Sequence, residues 1–393
     1  MQIISFLAPG EPAQQPDLSL LAIRCVRALV NAQVPVHWRV LAAPGSAVAF
    51  TSTLAPKTLT AEAVVQISEL DSALGDLGDL LRATRGPVPG GVALAMTAPQ
   101  WWPALLAPLQ GRRIAYLEPS PFLRPEQIAP YCGYPDEVWL PDADLAQQLR
   151  RHQPGLRTRM LPPVRRHAVQ QDISVDRLAA FRQMMGIGDQ TFVFYAMLDA
   201  HSAGGCADML AAYALAFDGE ANADVTWVVQ CPPEFVDPLR DGTPVPAAQF
   251  IEGLLAGMPS SRGHGRPKIV LLDQDLNSAG RDLLHACGNA FLVPRSGDAL
   301  GLRAIDAAEA GNEVIGPAGR NLEFLLGAAW QALAGSQSSD GFVQALAHAM
   351  KSAWLRRDGD ARGRDRVQWH LANALSEAAW VLSVQRLQGG AEA

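Results

Sequence analysis

The chain has 393 residues, 49% of them hydrophobic and 18% charged, with a formal net charge of −7. That balance belongs to a globular protein rather than a disordered one, and the length accommodates two domains of ordinary size. The negative charge argues against a nucleic-acid or anionic-membrane surface, and no apolar run reaches bilayer-spanning length.

The N-terminus has neither a charged n-region nor an Ala-x-Ala cleavage site, so no signal peptide is expected. Cys25, Cys132, Cys206, Cys231 and Cys287 are scattered singly, without a Cys-x-x-Cys pair. They read as reduced thiols packed as small core residues of a cytosolic protein.

Taken in order, Gln2-Ile-Ile-Ser-Phe-Leu reads as a buried strand. A helix is expected from Asp17, a good N-cap, to Gln33, with Leu20, Leu21, Ile23, Val26, Leu29 and Val30 on its apolar face. Val36-His-Trp-Arg-Val-Leu is a second strand. This βαβ opening is typical of an α/β doubly wound sheet. The first strand-to-helix loop carries only Pro9-Gly10 and reads as an ordinary turn. Residues 51–90 are loosely patterned, with a helix expected over Leu70 to Arg82 and a turn cluster from Gly86. A strand follows at Val92 to Met96. Trp101-Trp102 read two ways, as indoles covering a sugar site or as packing residues.

Arg113 to Glu118 is a strand ending in an acid, Glu137 to Pro141 another, and Asp142 to His152 a helix. Glu118 either meets a ligand at the strand's carboxyl end or caps a nearby helix. Pro162-Pro163 and the polar run to Asp172 form the expected linker. The expected domains are therefore 1–165, 166–365 and a terminal helical segment, 366–393.

The second half repeats the alternation. A helix is expected over Ile173 to Met185, then strands at Thr191 to Asp199 and Val225 to Gln230, with a helix over Asp208 to Phe217 between them. Gly186-x-Gly188 precedes its strand, whereas a dinucleotide fingerprint must follow one and open a helix. A dehydrogenase is excluded on that ground.

Lys268 to Leu272 is the next strand, and Leu283, Leu284 and Cys287 give helical spacing after Ser278. Ala290-Phe-Leu-Val-Pro is a strand that leads through Arg295-Ser-Gly-Asp-Ala-Leu-Gly into a helix from Leu302 to Ala310, stopped by Gly311. Glu313 to Gly316 is a further strand, followed by the loop Pro317-Ala-Gly-Arg-Asn. A glycine loop entering a helix presents unpaired N–H groups and a positive dipole end, which suits a phosphate. Asp298 in the loop and Asp306 in the helix are expected to face one cleft, where carboxylates accept hydrogen bonds from sugar hydroxyls. Phe342 to Trp354 is amphipathic, the charge run after Arg356 is a solvated turn, and Val367 to Leu387 forms a long last helix.

The segment from Ser296 to Gly316 resembles the donor-site signature of family 4 glycosyltransferases: a Glu, seven residues and a second Glu around a Gly-Phe-Gly-Leu-like turn. Asp298 and Asp306 stand at the two acids, each one methylene shorter. The loop after Pro317 resembles the glycine loop that follows in that family, and Glu118 and Trp139 match the acid and the aromatic of its acceptor half.

The resemblance implies the GT-B architecture, two Rossmann-like domains facing across a cleft with the last helix crossing back. It implies a retaining, metal-independent transfer from a nucleotide-sugar donor, which is a substrate and not a cofactor. The acceptor would be a lipid-linked glycan, a protein or a small metabolite. Asp298 would then meet the donor sugar's hydroxyls, Asp306 the ribose, and the N–H groups of Ala299, Leu300 and Gly301 the phosphates, with Glu118 on the acceptor side. The implied location is cytoplasmic, with peripheral membrane contact left open.

One departure is large. The family pattern after the second half's first strand is Gly-Arg-Leu-Asp and then a Lys, cations that neutralise the leaving diphosphate. Here the chain reads Ala196-Met197-Leu198-Asp199, and no Lys follows. His201 is the nearest cation in sequence, and Arg295, Arg303 and Arg320 lie in or beside the donor loops. Arg303 reads either as a relocated phosphate clamp or as a surface arginine on a first helical turn. Asp273-Gln-Asp275 is poorly placed for a metal, so none is expected. The departure also motivates a second functional reading, a catalytically degenerate GT-B protein kept as a binding or complex-forming subunit.

Overall fold

A computed structural model describes residues 3–9, parts of 18–34, 36–41, 50–54, 91–118 without 108, 124–164, 173–199, 202–217, 224–236, 243–257, 268–274, 276, 278–295, 300–318, 322–334, 338–356 and 377–389. The helix expected from Asp17 is described only in part, and that over Leu70 to Arg82 lies outside the described residues.

The chain divides into two units. One comprises Met1–His167 together with Asn373–Ala393, the other Ala168–Ala372.

The first unit is built on β1 (Ile3–Pro9), β2 (Val36–Leu41), β3 (Phe50–Leu54), β4 (Gly91–Ala95), β5 (Gly111–Tyr116), β6 (Glu137–Leu140) and β7 (Thr158–Met160). Their order is β3-β2-β1-β4-β5-β6-β7, with every neighbour parallel except the antiparallel edge strand β3. The order reverses between β1 and β4, as in a doubly wound sheet. β3 was hidden in the loosely patterned stretch, because a short edge strand carries only a weak alternation.

Ala93, Ala95, Ala115, Val138 and Leu140 build a core with Trp102, Ile128 and Leu149. Trp102 is fully buried there and its indole N–H donates to the Thr97 carbonyl at 3.1 Å. The packing reading of that tryptophan therefore holds; the side chain of Trp101 lies outside the described residues. The helix Ala143–His152 starts where the sequence predicts, because the Asp142 carboxylate accepts from the Leu145 N–H at 2.9 Å.

The terminal helix Glu377–Gly389 belongs to this unit. Trp380 packs edge-on against Trp139 with ring centroids 5.6 Å apart. The Trp139 indole donates to Glu137 Oε1 at 3.0 Å. Glu137 is buried and also receives Arg112 at 2.7 Å and Arg159 at 2.8 Å. Burial pushes its carboxyl up, but the Trp139 bond and the two guanidinium groups outweigh that and hold it below the usual carboxylate range.

A depressed folded value means that the stabilisation is present above the unfolded carboxylate range and is lost as pH falls through the folded one. Glu137→Gln is expected to cost about 2–3 kcal/mol at neutral pH, less than a fully buried pair because both arginines stay partly solvated. The cost should shrink on acidification below about pH 4.5. Urea melts of both proteins across pH 3–8 check this, and a pH-independent difference would refute it.

The second unit is built on β8 (Phe192–Met197), β9 (Val225–Gln230), β12 (Lys268–Leu272), β13 (Ala290–Leu292), β14 (Glu313–Pro317) and β15 (Trp330–Leu333). The sheet is parallel throughout, in the order β12-β9-β8-β13-β14-β15. β8 and β9 are buried along their whole length, which is why Phe-Val-Phe-Tyr-Ala-Met and Val-Thr-Trp-Val-Val-Gln read as continuous runs rather than alternations.

The helices Ala203–Phe217 and Ser339–Arg356 cover one face through Met209, Tyr213, Phe217, Phe342, Leu346 and Met350. Residues 234–257 were unread in the sequence. They form a two-stranded antiparallel ribbon, β10 (Glu234–Val236) with β11 (Pro244–Pro246), and the helix Ala247–Gly257.

Candidate functional site

In the second unit the strand order reverses between β8 and β13, so the chain leaves these neighbouring strands in opposite directions. The crevice outside the carboxyl ends of such a pair is where open α/β sheets bind ligands.

β8 ends in Met197 and Leu198, both buried, and then Asp199. Asp199 accepts from the Ser202 hydroxyl at 2.8 Å and closes a turn, with the Ser202 N–H bonded to the Asp199 carbonyl at 3.1 Å. The Cys206 N–H then bonds the Ser202 carbonyl at 2.8 Å, and the helix is under way at Ala203, five residues before its expected start at Asp208. Gly204 and Gly205 argue against a helix by propensity. Tertiary packing overrides them, for Gly205, Cys206 and Met209 are buried. The helix brings its positive end to the carboxyl end of β8, with no acidic residue in its first turn.

On the other side of the crevice β13 ends in Leu292, Val293 and Pro294, and Arg295 emerges exposed. The loop residues Ser296 to Ala299 lie outside the described residues, Asp298 and Ala299 among them. Leu300 is buried, and Gly301 caps the helix Leu302–Glu309 from the left-handed region, φ 67°. Glycine is required there twice over. The φ strains any L side chain, and a Cβ would lie 2.3 Å from Leu322 Cδ2. No side chain caps this helix and its first turn holds no acid. It ends as predicted at Gly311, φ 88°, where the Asn312 N–H bonds the Ala307 carbonyl at 3.0 Å.

Arg303, in the first turn, is half-buried and donates from Nη1 to the Met197 carbonyl at 2.9 Å. The helix Leu302–Glu309 thus delivers a guanidinium to the end of β8. Arg295 reaches the other way, its Nε 3.4 Å from Asp208 Oδ2. Asp306 is half-buried on the same helix as Arg303. Its charge, after burial, is among the influences that push the Tyr195 hydroxyl well up, against the Asn312 bond.

Behind the crevice sits a buried polar network that the sequence did not announce. Asn312 Nδ2 donates to the Tyr195 hydroxyl at 2.8 Å and to the His285 carbonyl at 2.8 Å. The same hydroxyl is 2.8 Å from His285 Nδ1. The amide nitrogen of Asn312 only donates, so the tyrosine oxygen accepts from it, while the direction of the Tyr195–His285 bond follows the imidazole tautomer. The network fastens the far end of the helix Leu302–Glu309 to β8 and to the helix Ser278–Cys287. Gly288 leaves room for it, since a Cβ there would lie 2.2 Å from the Tyr195 ring.

The other expected residues are dispersed. Glu118 stands half-buried just past the carboxyl end of β5, in the first unit. His201 and Arg320 lie outside the described residues. In the sequence Asp208 reads only as a helix start, and Asn312 only as the residue after the helix-stopping glycine. Among the described residues no group of three or more His, Cys, Asp or Glu could hold a metal ion, and no helix is long and apolar enough to cross a membrane.

No protein-family model and no curated protein sequence matches the chain. Solved structures do. An alpha,alpha-trehalose 6-phosphate synthase from Burkholderia multivorans superposes with a TM-score of 0.64 at 13% identity, covering 100% of this chain and 99% of that one. An E. coli trehalose-6-phosphate structure bound with UDP-2-fluoro glucose gives 0.62 at 12%, covering 98% and 99%. A UDP-forming alpha,alpha-trehalose-phosphate synthase from Burkholderia xenovorans, in complex with glucose-6-phosphate, gives 0.62 at 13%, covering 99% and 100%. The fold of the chain is therefore α/β of the GT-B type, with two Rossmann-like domains.

Proposed function

We propose that the chain is a glycosyltransferase that takes a sugar from a nucleotide-sugar donor, of the family 4 kind, retaining and metal-independent. The observation that carries this is Arg303 on the Met197 carbonyl at 2.9 Å. At the strand end where the resembled pattern has its own arginine, this chain has Met197, and a guanidinium arrives from the facing helix instead.

A diphosphate leaving group develops charge as the glycosidic bond breaks, and a positioned cation stabilises that charge more than it stabilises the ground state. Arg303 and Arg295 are the cations for that task, aided by the uncapped end of the helix that Gly301 opens. Leu300 and Gly301 offer backbone N–H groups to the phosphates, with Ala299 beside them. Asp306 takes the ribose and Asp298 the sugar hydroxyls. Arg320 and His201 keep secondary donor-side roles, and Glu118 the acceptor side. With no strong enzymic nucleophile, the leaving phosphate itself takes the acceptor's proton at an oxocarbenium-like stage.

In this reading 1–165 is the acceptor-side domain, 166–365 the donor domain and 366–393 the returning helix, working in the cytoplasm. A sugar phosphate is the first acceptor to try, since a similar structure holds glucose-6-phosphate.

The test is a titration of the purified protein with UDP and GDP, followed by an assay of sugar-nucleotide hydrolysis. Binding with slow hydrolysis is expected. Absence of both from folded protein would favour the second reading, a non-catalytic subunit, which the methionine at the cation's position motivates.

A further inference from the structure

β7 is the last strand of the first sheet, with β6 on one side and, among the described strands, none on the other. The Val138 N–H bonds the Arg157 carbonyl at 2.9 Å, and the Leu161 N–H bonds the Leu140 carbonyl at 3.0 Å. In a parallel ladder that pattern turns the main-chain groups of Arg157, Arg159 and Leu161 toward β6, and those of Thr158 and Met160 away from it. An outward row of N–H and C=O groups is a template for another strand. Met160 itself is 48% exposed.

The edge is framed by cations. Between Asp144 and Asp172 the sequence holds six arginines and no acid, in a chain whose net charge is −7. Arg159 is taken up by Glu137 and lies over the Trp139 ring at 5.7 Å. Arg150 Nε donates to the Thr158 hydroxyl at 2.8 Å, which holds the last turn of the helix Ala143–His152 against β7. His152 meets Glu126 at 3.3 Å. Arg151, in the same turn, and Arg157, just before β7, are exposed, and no carboxylate among the described residues pairs with either. The helix dipole accounts for a cation at Arg151, but Arg157 stands outside any helix.

We propose that the β7 edge, framed by Arg151 and Arg157, receives an acidic segment of a partner protein as an added strand. Charges on a short edge strand keep sheets from joining, but they do so selectively. A second copy of this edge brings arginine against arginine, whereas a strand carrying carboxylates meets its complement. Met160 alone offers little apolar area to a lipid surface, and N–H and C=O groups at strand spacing suit a polypeptide rather than a headgroup. The docked strand is short, because β7 has 3 residues and Pro162 and Pro163 follow soon after. Binding here needs nothing of the donor chemistry.

Fluorescence anisotropy tests this with three labelled probes: a heptapeptide alternating Glu and Val, its Lys-and-Val counterpart, and the acidic peptide N-methylated at every peptide bond. The acidic peptide is expected to bind the full chain, and to bind more weakly as salt rises from about 50 to about 300 mM. The Lys peptide should not bind. N-methylation keeps every charge but removes the N–H donors, and should weaken binding roughly tenfold or more. Arg151→Ala combined with Arg157→Ala should cost about as much. Met160→Pro deletes an outward N–H that the sheet does not use, so it should keep the melting temperature and lose the peptide. If Met160→Pro folds poorly, the N-methylated peptide on wild-type protein decides the same point. An acidic peptide that wild type does not bind at low salt overturns the proposal. So does equal binding of the N-methylated peptide, which leaves a diffuse charge attraction and no added strand. Arginine-dependent binding to phosphatidylglycerol vesicles without peptide binding overturns it in favour of a lipid surface. A dimer in sedimentation that Met160→Pro abolishes overturns it in favour of a second copy.

Discussion

Arg303→Ala is expected to lower sugar transfer by about two to three orders of magnitude, the usual cost of one preorganised charge-stabilising group. The fold should barely notice. The side chain is half-buried and donates to the Met197 carbonyl, and losing such a hydrogen bond costs on the order of 1 kcal/mol.

Arg303→Lys should recover only part of the rate. A lysine ammonium supplies the charge but cannot hold the Met197 carbonyl and also present a planar pair of donors to phosphate. The companion substitution Met197→Arg tests the same idea from the other side. If Arg303 stands in for a cation that the strand end lacks, restoring one at Met197 should raise transfer in the Arg303→Ala background. Single-turnover rates with saturating nucleotide sugar, alongside thermal melts, decide the matter. An unchanged rate and UDP affinity in Arg303→Ala would remove Arg303 from the site.

The largest expected effect on stability falls on Asn312. Asn312→Leu removes two buried hydrogen bonds and leaves the His285 carbonyl without that donor, inside a region where Asn312 and His285 are each 5% exposed. An unsatisfied buried polar group costs about 1–3 kcal/mol on top of each lost bond, so a loss of roughly 2–4 kcal/mol is expected. In a domain of this size that lowers the melting temperature by about 2–4 °C per kcal/mol. The loss should be coupled to the tyrosine, because Tyr195→Phe removes the acceptor at the centre of the same network. A double-mutant cycle in urea should then return an interaction energy of at least about 0.5 kcal/mol. Strict additivity would mean that the three side chains do not act as a unit.

Much of the fold was legible because its signals are local and repeated. β8, β9 and β13 are short apolar runs bounded by turns, and Asp142 and Gly311 mark helix ends by well-understood cap chemistry. What escaped was structure whose cause is tertiary. β3 is an edge strand held by its pairing with β2, and the ribbon of β10 and β11 lies in a stretch containing five prolines from Pro232 to Pro246. The early start of the helix at Ala203 comes with burial of Ala203, Gly205 and Cys206, against the low helix propensity of glycine.

The site divides the same way. The loop before Leu302 stands out in the sequence as a glycine turn before a helix, and Arg303 by its position on that helix. That its guanidinium meets the Met197 carbonyl is a contact between positions 106 residues apart, which no local pattern encodes. Asp208 was invisible for the same reason: its partners, Arg295 and Ser339, are far along the chain and only the fold collects them.

The grouping of Asn373–Ala393 with the first unit has a consequence for how the protein is made. Synthesis runs from the N-terminus, so β1 to β7 emerge from the ribosome long before Trp380, the residue that closes over Trp139. The second unit, wholly encoded in between, can complete itself while the first still waits for its last helix. During that interval the Trp139 face stands open to water and to chaperones, and a translation pause between codons 356 and 377 would lengthen the exposure without altering a single contact of the finished molecule.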